Sequence, residues 1–206
     1  MPETWLPLFP LNVVLFPHSS LPLHIFEERY KTLVNECLGR GTSFGITLTR
    51  DSGVAGIGCS ARISSVLRRF DDGRMDIVVK GGQRFRLLRC EAERAPYLLG
   101  EVDYVDDPAE TLDRALATDT VRMFNTLVTM AFKGEVGTLG ANMAERGLSF
   151  LIAQKAGLDL DHRQQLLEMM SENERLRTLH VYLKDLLPRL RHLEDIERVV
   201  KNDGYL

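Results

Sequence analysis

Ser149 and Lys155 are the nearest thing in this chain to a nucleophile and its base. Six residues apart on one helix, they point about 120° away from a common direction, so they cannot touch. Both read as solvent-facing or capping residues. Gly53, Gly56 and Gly58 imitate a nucleotide loop, yet they precede a strand instead of joining a strand to a helix, where a phosphate would sit. They read as turn glycines, and no GxxxxGKS or GxxxxGKT phosphate loop occurs anywhere. His18, His24, His162, His180 and His192 form neither an HExxH motif nor an i,i+4 pair, so no metal centre is read from them. His24, within an apolar strand, reads as a packed, hydrogen-bonded residue. Cys37, Cys59 and Cys90 are too few and too scattered for a disulfide framework or a zinc site. Cys59 and Cys90 are expected as sheet neighbours, free and buried. An enzyme needs convergent acid, base or metal groups, and these spacings assemble none. No catalytic residue, metal or cofactor is assigned.

One charge pattern is stronger. Between Arg62 and Arg89 the sequence holds eight basic residues and three acids. Strand alternation puts Arg84 and Arg86 on one face, with Phe85 and Leu87 on the other. Arg68, Arg69, Arg84 and Arg86 are therefore candidates for a basic surface that binds RNA, although stacking aromatics are scarce there. The plainer reading, and the preferred one, is cross-strand pairing with Glu101 and Asp103 on the next strand, which alternate in the same way.

The elements that position these residues fall into two groups. With 206 residues, the chain has room for one large or two small domains. A net charge of -3 argues against a dedicated nucleic-acid or anionic-membrane binder. No apolar run approaches the roughly 18–20 residues that span a bilayer. The acidic, proline-interrupted N-terminus does not read as a signal peptide, and a cytoplasmic location is expected. The fold class reads as α+β, with a β-rich part over 1–107 and a helical bundle over 108–206. Strands are expected at Trp5–Leu8, Val13–Phe16, Leu21–Ile25, Ser43–Thr49, Gly58–Phe70, Met75–Lys80, Gln83–Cys90 and Tyr97–Val105. Gly81-Gly82 reads as a break, and Asp71–Arg74 as a hairpin turn. One amphipathic helix is inserted early, with Tyr30, Leu33, Val34, Cys37 and Leu38 on its apolar face. Strands in this number suggest a curled sheet or a partly closed barrel.

In the second part, Pro108 is expected to open a helix to Lys133, and Gly134, Gly137 and Gly140 to form a flexible connection. A helix bearing Leu148, Leu151, Ile152 and Ala156 follows, stopped by Gly157. Asp161 reads as the cap of the next helix. The last helix, from about Ser171, carries a leucine seam from Leu176 to Leu193, with a kink or break expected at Pro188. That seam reads as the lining of an intramolecular bundle.

Residues 6–34, LPLFPLNVVLFPHSSLPLHIFEERYKTLV, resemble the opening of the Lon N-terminal domain family, the substrate-binding region of the ATP-dependent Lon protease. Gly73-Arg74, Gly81 and Arg84-Phe85-Arg86-Leu87 resemble a later strand of that family, and Gln164–Leu167 with Arg175-Leu176 extend the likeness toward the C-terminus. His18 stands where the family usually has glycine, which would reshape a tight turn. A chain without the ATPase and Ser-Lys peptidase of a full protease is expected. The resemblance implies a PUA-like β-rich subdomain followed by a helical bundle, a stand-alone binding module without catalysis of its own. Its expected partners are unfolded or partner polypeptides, with service as a protease adaptor, and RNA is the alternative. Trp5, Leu8, Phe9 and Phe16 are the candidates for an apolar polypeptide-binding groove.

Overall fold

The computed structural model describes residues 5–51, 53–132, 139–140 and 147–202, with the side chains of Phe132 and of residues 193–202 left out. It divides into a β-rich unit, Met1–Asp107 with Leu158–Glu168, and a helical unit, Pro108–Gly157 with Met169–Leu206. The division read from the sequence differs at 158–168, a short helix that packs with the strands.

The β-rich unit contains β1 (Trp5–Leu11), β2 (Ser20–Ile25), β3 (Phe44–Arg50), β4 (Gly53–Val54), β5 (Ile57–Arg69), β6 (Met75–Glu91) and β7 (Leu98–Val105). All pairings are antiparallel except β1 with β3. Because β1 pairs with both β7 and β3, the path β1–β7–β6–β5–β3 returns to its start. The sheet is thus a closed ring of pairings, which removes its principal edges. Apolar residues inside it, including Phe44, Ile46, Ile77 and Val79, form one core with α1 (Glu28–Arg40). That helix buries Tyr30, Leu33, Val34 and Cys37, the three-and-four spacing seen in its sequence. Gly41 closes it at φ 65, and its amide donates to the Cys37 carbonyl. The turn at Asp71–Arg74 is present, with Gly73 at φ 81 and the Gly73 amide donating to the Phe70 carbonyl.

Two expectations fail around one contact. Gly81 and Gly82 do not break β6, which runs unbroken for 17 residues. Val13–Phe16 is no strand, although Val14, Leu15 and Phe16 are buried. A Cβ on Gly81 would lie 2.1 Å from the Phe16 carbonyl oxygen. The glycine is there so that this segment can press against the strand. The Gly81 amide donates to the Ser19 carbonyl at 2.8 Å, and the His18 amide donates to the Gly81 carbonyl at 2.9 Å. His18 itself takes the left-handed conformation, φ 63, that glycine adopts more readily. The turn expected there keeps a glycine-like backbone with a histidine in it.

The late helix of this unit, α4 (Leu160–Glu168), is capped by Asp159 and not by Asp161. Asp159 Oδ1 accepts the His162 amide at 2.8 Å, while Asp161 pairs with Arg50. Polar side chains hold α4 against the strands through backbone carbonyls. Gln164 Nε2 donates to Ile57 O at 3.0 Å, and Arg84 Nη1 donates to Leu167 O at 2.9 Å.

The helical unit contains α2 (Arg114–Phe132), α3 (Leu148–Lys155) and α5 (Glu172–Asn202). The first begins at Arg114 rather than Pro108, because Asp113 caps it by accepting the Leu116 amide at 3.0 Å. Leu176, Leu179, Leu183 and Leu187 of α5 are buried, and the helix is not interrupted at Pro188. The connection expected at Gly134 and Gly137, and the Leu193 side chain, lie outside the described residues. Ser149 is neither solvent-facing nor a simple cap. Its amide and hydroxyl donate to Glu172 Oε1 and Oε2 at 2.7 and 2.8 Å, and Arg175 Nε donates to its oxygen at 2.8 Å. Arg175 is fully buried and donates to Glu172 Oε2 at 2.6 Å, so a satisfied ion pair fastens α3 to α5.

Candidate polypeptide-binding surface

The groove expected from Trp5, Leu8, Phe9 and Phe16 does not form. Leu8, Phe9 and Phe16 are buried: Phe9 enters the core that includes Tyr30 and Phe44, Leu8 on the other face of β1 packs with Phe85 and Val102, and Phe16 lies in the segment pressed against Gly81. Phe9 stacks on Tyr30 with ring centres 3.9 Å apart. Arg163 sits over the Phe16 ring at 5.0 Å. Trp5 is half-buried under the guanidinium groups of Arg89 and Arg94.

The basic strands are divided in their roles. Arg84 is only 3% exposed and pairs with Asp107 as well as donating to Leu167, so it belongs to no surface. The alternation argument failed here because the face opposite the barrel core is itself covered by α4. Arg86 is exposed opposite Asp103, and Arg89 pairs with Glu101, as the cross-strand reading expected. Arg69 reaches Asn35 of α1 at 3.4 Å, and Arg68 lies 4.4 Å from the Phe70 ring centre.

The outward face of the sheet formed by β2, the first half of β6, and β5 is different. Its residues fall in three rows across the strands: Ser20–Lys80–Arg62, Pro22–Val78–Ser65 and His24–Asp76–Arg68. Leu21, Leu23, Met75, Ile77, Val79 and Ile63 point the other way, into the core. At the end of the last row stands Phe26, 60% exposed, with the His24 ring 6.0 Å from it and also 6.0 Å from Phe70. His24 is therefore not packed inside, although its hydrogen bond is real: Nδ1 lies 2.6 Å from Asp76 Oδ1. Leu67, in the bulge between Val66 and Arg68, is also exposed.

Phe26, Phe70, Arg62 and Lys80 were missed as a group because their proximity depends on β2 lying beside β6, which no local pattern announces. The available signal was the alternation Ser20, Pro22, His24 on one side of β2.

Nothing here assembles reactive chemistry. Burial pushes the Cys59 thiol up to about 12, the state of an inert side chain. Cys59 pairs in register with Arg84, and Cys90 with Gly100, so these cysteines are not neighbours; Cys90 is exposed. Among the described residues no cluster of three or more His, Cys, Asp or Glu could hold a metal. A cavity of about 870 Å³ along α2 is lined by Leu112, Val121, Asn125 and Met130 among others, with no acid, histidine or cysteine among the described residues. Among the described residues no helix is long and apolar enough to cross a membrane.

Residues 5–185 match the family of the ATP-dependent protease La (LON) substrate-binding domain. The chain belongs to this family. A solved Lon N-terminal domain protein from Xanthomonas campestris is 30% identical, with a TM-score of 0.64 over 87% of this chain and 98% of that one. The N-terminal domain of Mycobacterium avium complex Lon protease, 20% identical with a TM-score of 0.71 over 89% of this chain and all of that one, shares the fold. Lon protease of Dictyoglomus thermophilum is 26% identical over 98% of this chain but only 27% of its own length. Lon protease 2 of Herpetosiphon aurantiacus is 28% identical over 92% of this chain and 25% of its own. This Lon substrate-binding domain thus spans about a quarter of the curated relatives it matches, and the match is to their substrate-binding part rather than to a peptidase. The α+β class, mostly antiparallel strands with helices, is that of the family's solved domains.

Proposed function

We infer that this domain is a polypeptide-recognition module with no catalysis of its own, taking up segments of other proteins that expose apolar side chains. Service as a client-binding part or adaptor of a proteolytic system is the setting that fits. The observation that supports the reading most is an aromatic cluster, exposed Phe26 and His24 with half-buried Phe70, on a sheet face whose outward residues are exposed or half-buried among the described residues. An uncovered apolar cluster with a polar rim is what a protein-docking surface needs. Three free cysteines fit a reducing compartment such as the cytoplasm.

RNA recognition through Arg68, Arg69, Arg84 and Arg86 has lost Arg84 to the interior and Arg86 to a position opposite Asp103. The decisive experiment is binding of a reduced, carboxymethylated protein that stays unfolded, with its folded parent as control. Capture of the unfolded form at micromolar concentration, with the bait recovered intact by mass spectrometry, is the expected result. Absence of binding would sink the recognition reading. Cleavage of the bait that one point substitution abolishes would sink the non-catalytic part.

A further inference from the structure

Arg62 and Lys80 stand directly opposite each other on β5 and β6, both exposed. Like charges in that relation destabilise a sheet. Neither has an acidic partner among the described residues, whereas Arg74, Arg89 and Arg94 each have one. The remaining row neighbour is Ser20, which brings no charge. One end of the uncovered face is thus an unneutralised cation pair and the other end is the aromatic cluster at Phe26. Between them lie Pro22 and Val78, apolar and without charge. The cation row and the His24–Asp76–Arg68 row are four residues apart along β6, about 13 Å at the rise of a strand.

We propose that this face docks an extended acidic polypeptide segment, its carboxylates on Arg62 and Lys80 and an apolar or aromatic side chain on Phe26. The proposal rests on the polypeptide-recognition reading above and specifies its substrate class. An extended chain presents every second side chain to one side. A segment with an acid, an apolar residue two positions on and an aromatic a further two to four positions on matches the three rows and the cluster beyond them. Docking is to the face and not by strand addition at the edge, because Pro22 in the middle of β2 lacks an amide to donate. A nucleic-acid strand fits less well. Its phosphates would have to pass Asp76, whose carboxylate is held in the centre of the last row by His24.

The test uses a fluorescein-labelled peptide of about ten residues, long enough to cross the face, with aspartate, leucine and phenylalanine at successive second positions and serine between them, so that all three kinds of side chain lie on one side. The same peptide with lysine for each aspartate, and a single-stranded RNA of about that length, are the comparison probes. Fluorescence anisotropy is read on the unaltered chain, on the double variant Arg62→Glu with Lys80→Glu, on Phe26→Ser, and on Arg189→Glu in the helical unit as a charge-change control, each checked for an unchanged melting temperature. The acidic peptide is expected to bind, to weaken with salt, and to lose about tenfold or more in affinity in the double variant and several-fold in Phe26→Ser. The Arg189→Glu variant is expected to bind as the unaltered chain does. Equal binding of the lysine peptide, or unchanged affinity in the double variant, overturns the proposal. Displacement of the peptide by RNA, with the same variants weakening RNA, also overturns it and assigns the face to nucleic acid. If the unfolded carboxymethylated protein still binds while these variants change nothing, this proposal fails and the broader reading stands. If no polypeptide binds at all, both fail.

Discussion

Arg84 donates from its guanidinium to the Leu167 carbonyl at 2.9 Å across 83 residues of chain. This contact ties α4, late in the sequence, to the strands of the β-rich unit. It also satisfies a helix C-terminal carbonyl that would otherwise lack a donor. Replacing Arg84 by methionine removes the donor from that carbonyl and the cation from beside the half-buried Asp107 carboxylate. A loss of about 2–4 kcal/mol in unfolding free energy is expected, read by urea titration. An unchanged midpoint would mean that solvent already serves both groups.

Gly81 and Gly39 should respond to alanine in opposite directions. At Gly81 the added carbon meets the Phe16 carbonyl oxygen, and the backbone must move. The cost should exceed about 2 kcal/mol. At Gly39, inside α1, nothing lies within 4 Å, and alanine should stabilise by up to about 1 kcal/mol. Thermal melts of the two single variants give the comparison.

Glu172 is the counter-charge of the buried Arg175 and a hydrogen-bond acceptor at the start of α3. Glu172→Ala strands that arginine and should cost about 3–5 kcal/mol. Hydrogen exchange at the amides of α3, and of α5 around Arg175, should accelerate before that of the β-rich unit. If both units changed together, the network would not be local to the helical unit.

Asp159 caps α4, and the His162 amide and ring that it accepts from hold its carboxyl below the usual aspartate range. The sign follows from linkage. The folded value is depressed, so the cap's contribution is complete above the ordinary range near 3.9 and is lost as pH falls through the lower folded value. NMR titration of the Asp159 carboxyl carbon should show that depressed midpoint, and α4 amides should lose protection over the same interval. A midpoint in the ordinary aspartate range would remove the cap.

Thiol reactivity should separate the three cysteines. Burial raises all three thiols, but Cys37 and Cys59 are buried whereas Cys90 is exposed to a reagent. With a disulfide reagent at mildly alkaline pH, one thiol should react quickly, and Cys90→Ser should abolish that phase. A fast phase that survives the substitution would indicate that the core around Cys37 and Cys59 opens readily.

The resemblance stretches, the amphipathic face of α1, its glycine stop and the Asp71–Arg74 turn were legible because each depends on residues within a turn or a strand period of one another. The alternation of Arg84 and Arg86 with Phe85 and Leu87 in β6 was legible for the same reason. The site was legible only in part. Arg68 was named from its charge, but its neighbours on the face come from β2 and β6, and no spacing along the chain states that those strands are adjacent.

The sequence by itself therefore determined the family, the α+β class and most of the element positions, through short-range periodicity and motif. Tertiary structure decided which side of each element is covered. Leu8 and Phe9 became core because each face of β1 is covered, Phe9 by Tyr30 and Phe44 and Leu8 by Phe85 and Val102. Arg84 was buried because α4 returned to lie on it, and Ser149 because α5 brought Glu172 and Arg175 to it. Burial is a property of what packs against a residue, and those partners lie far away along the chain.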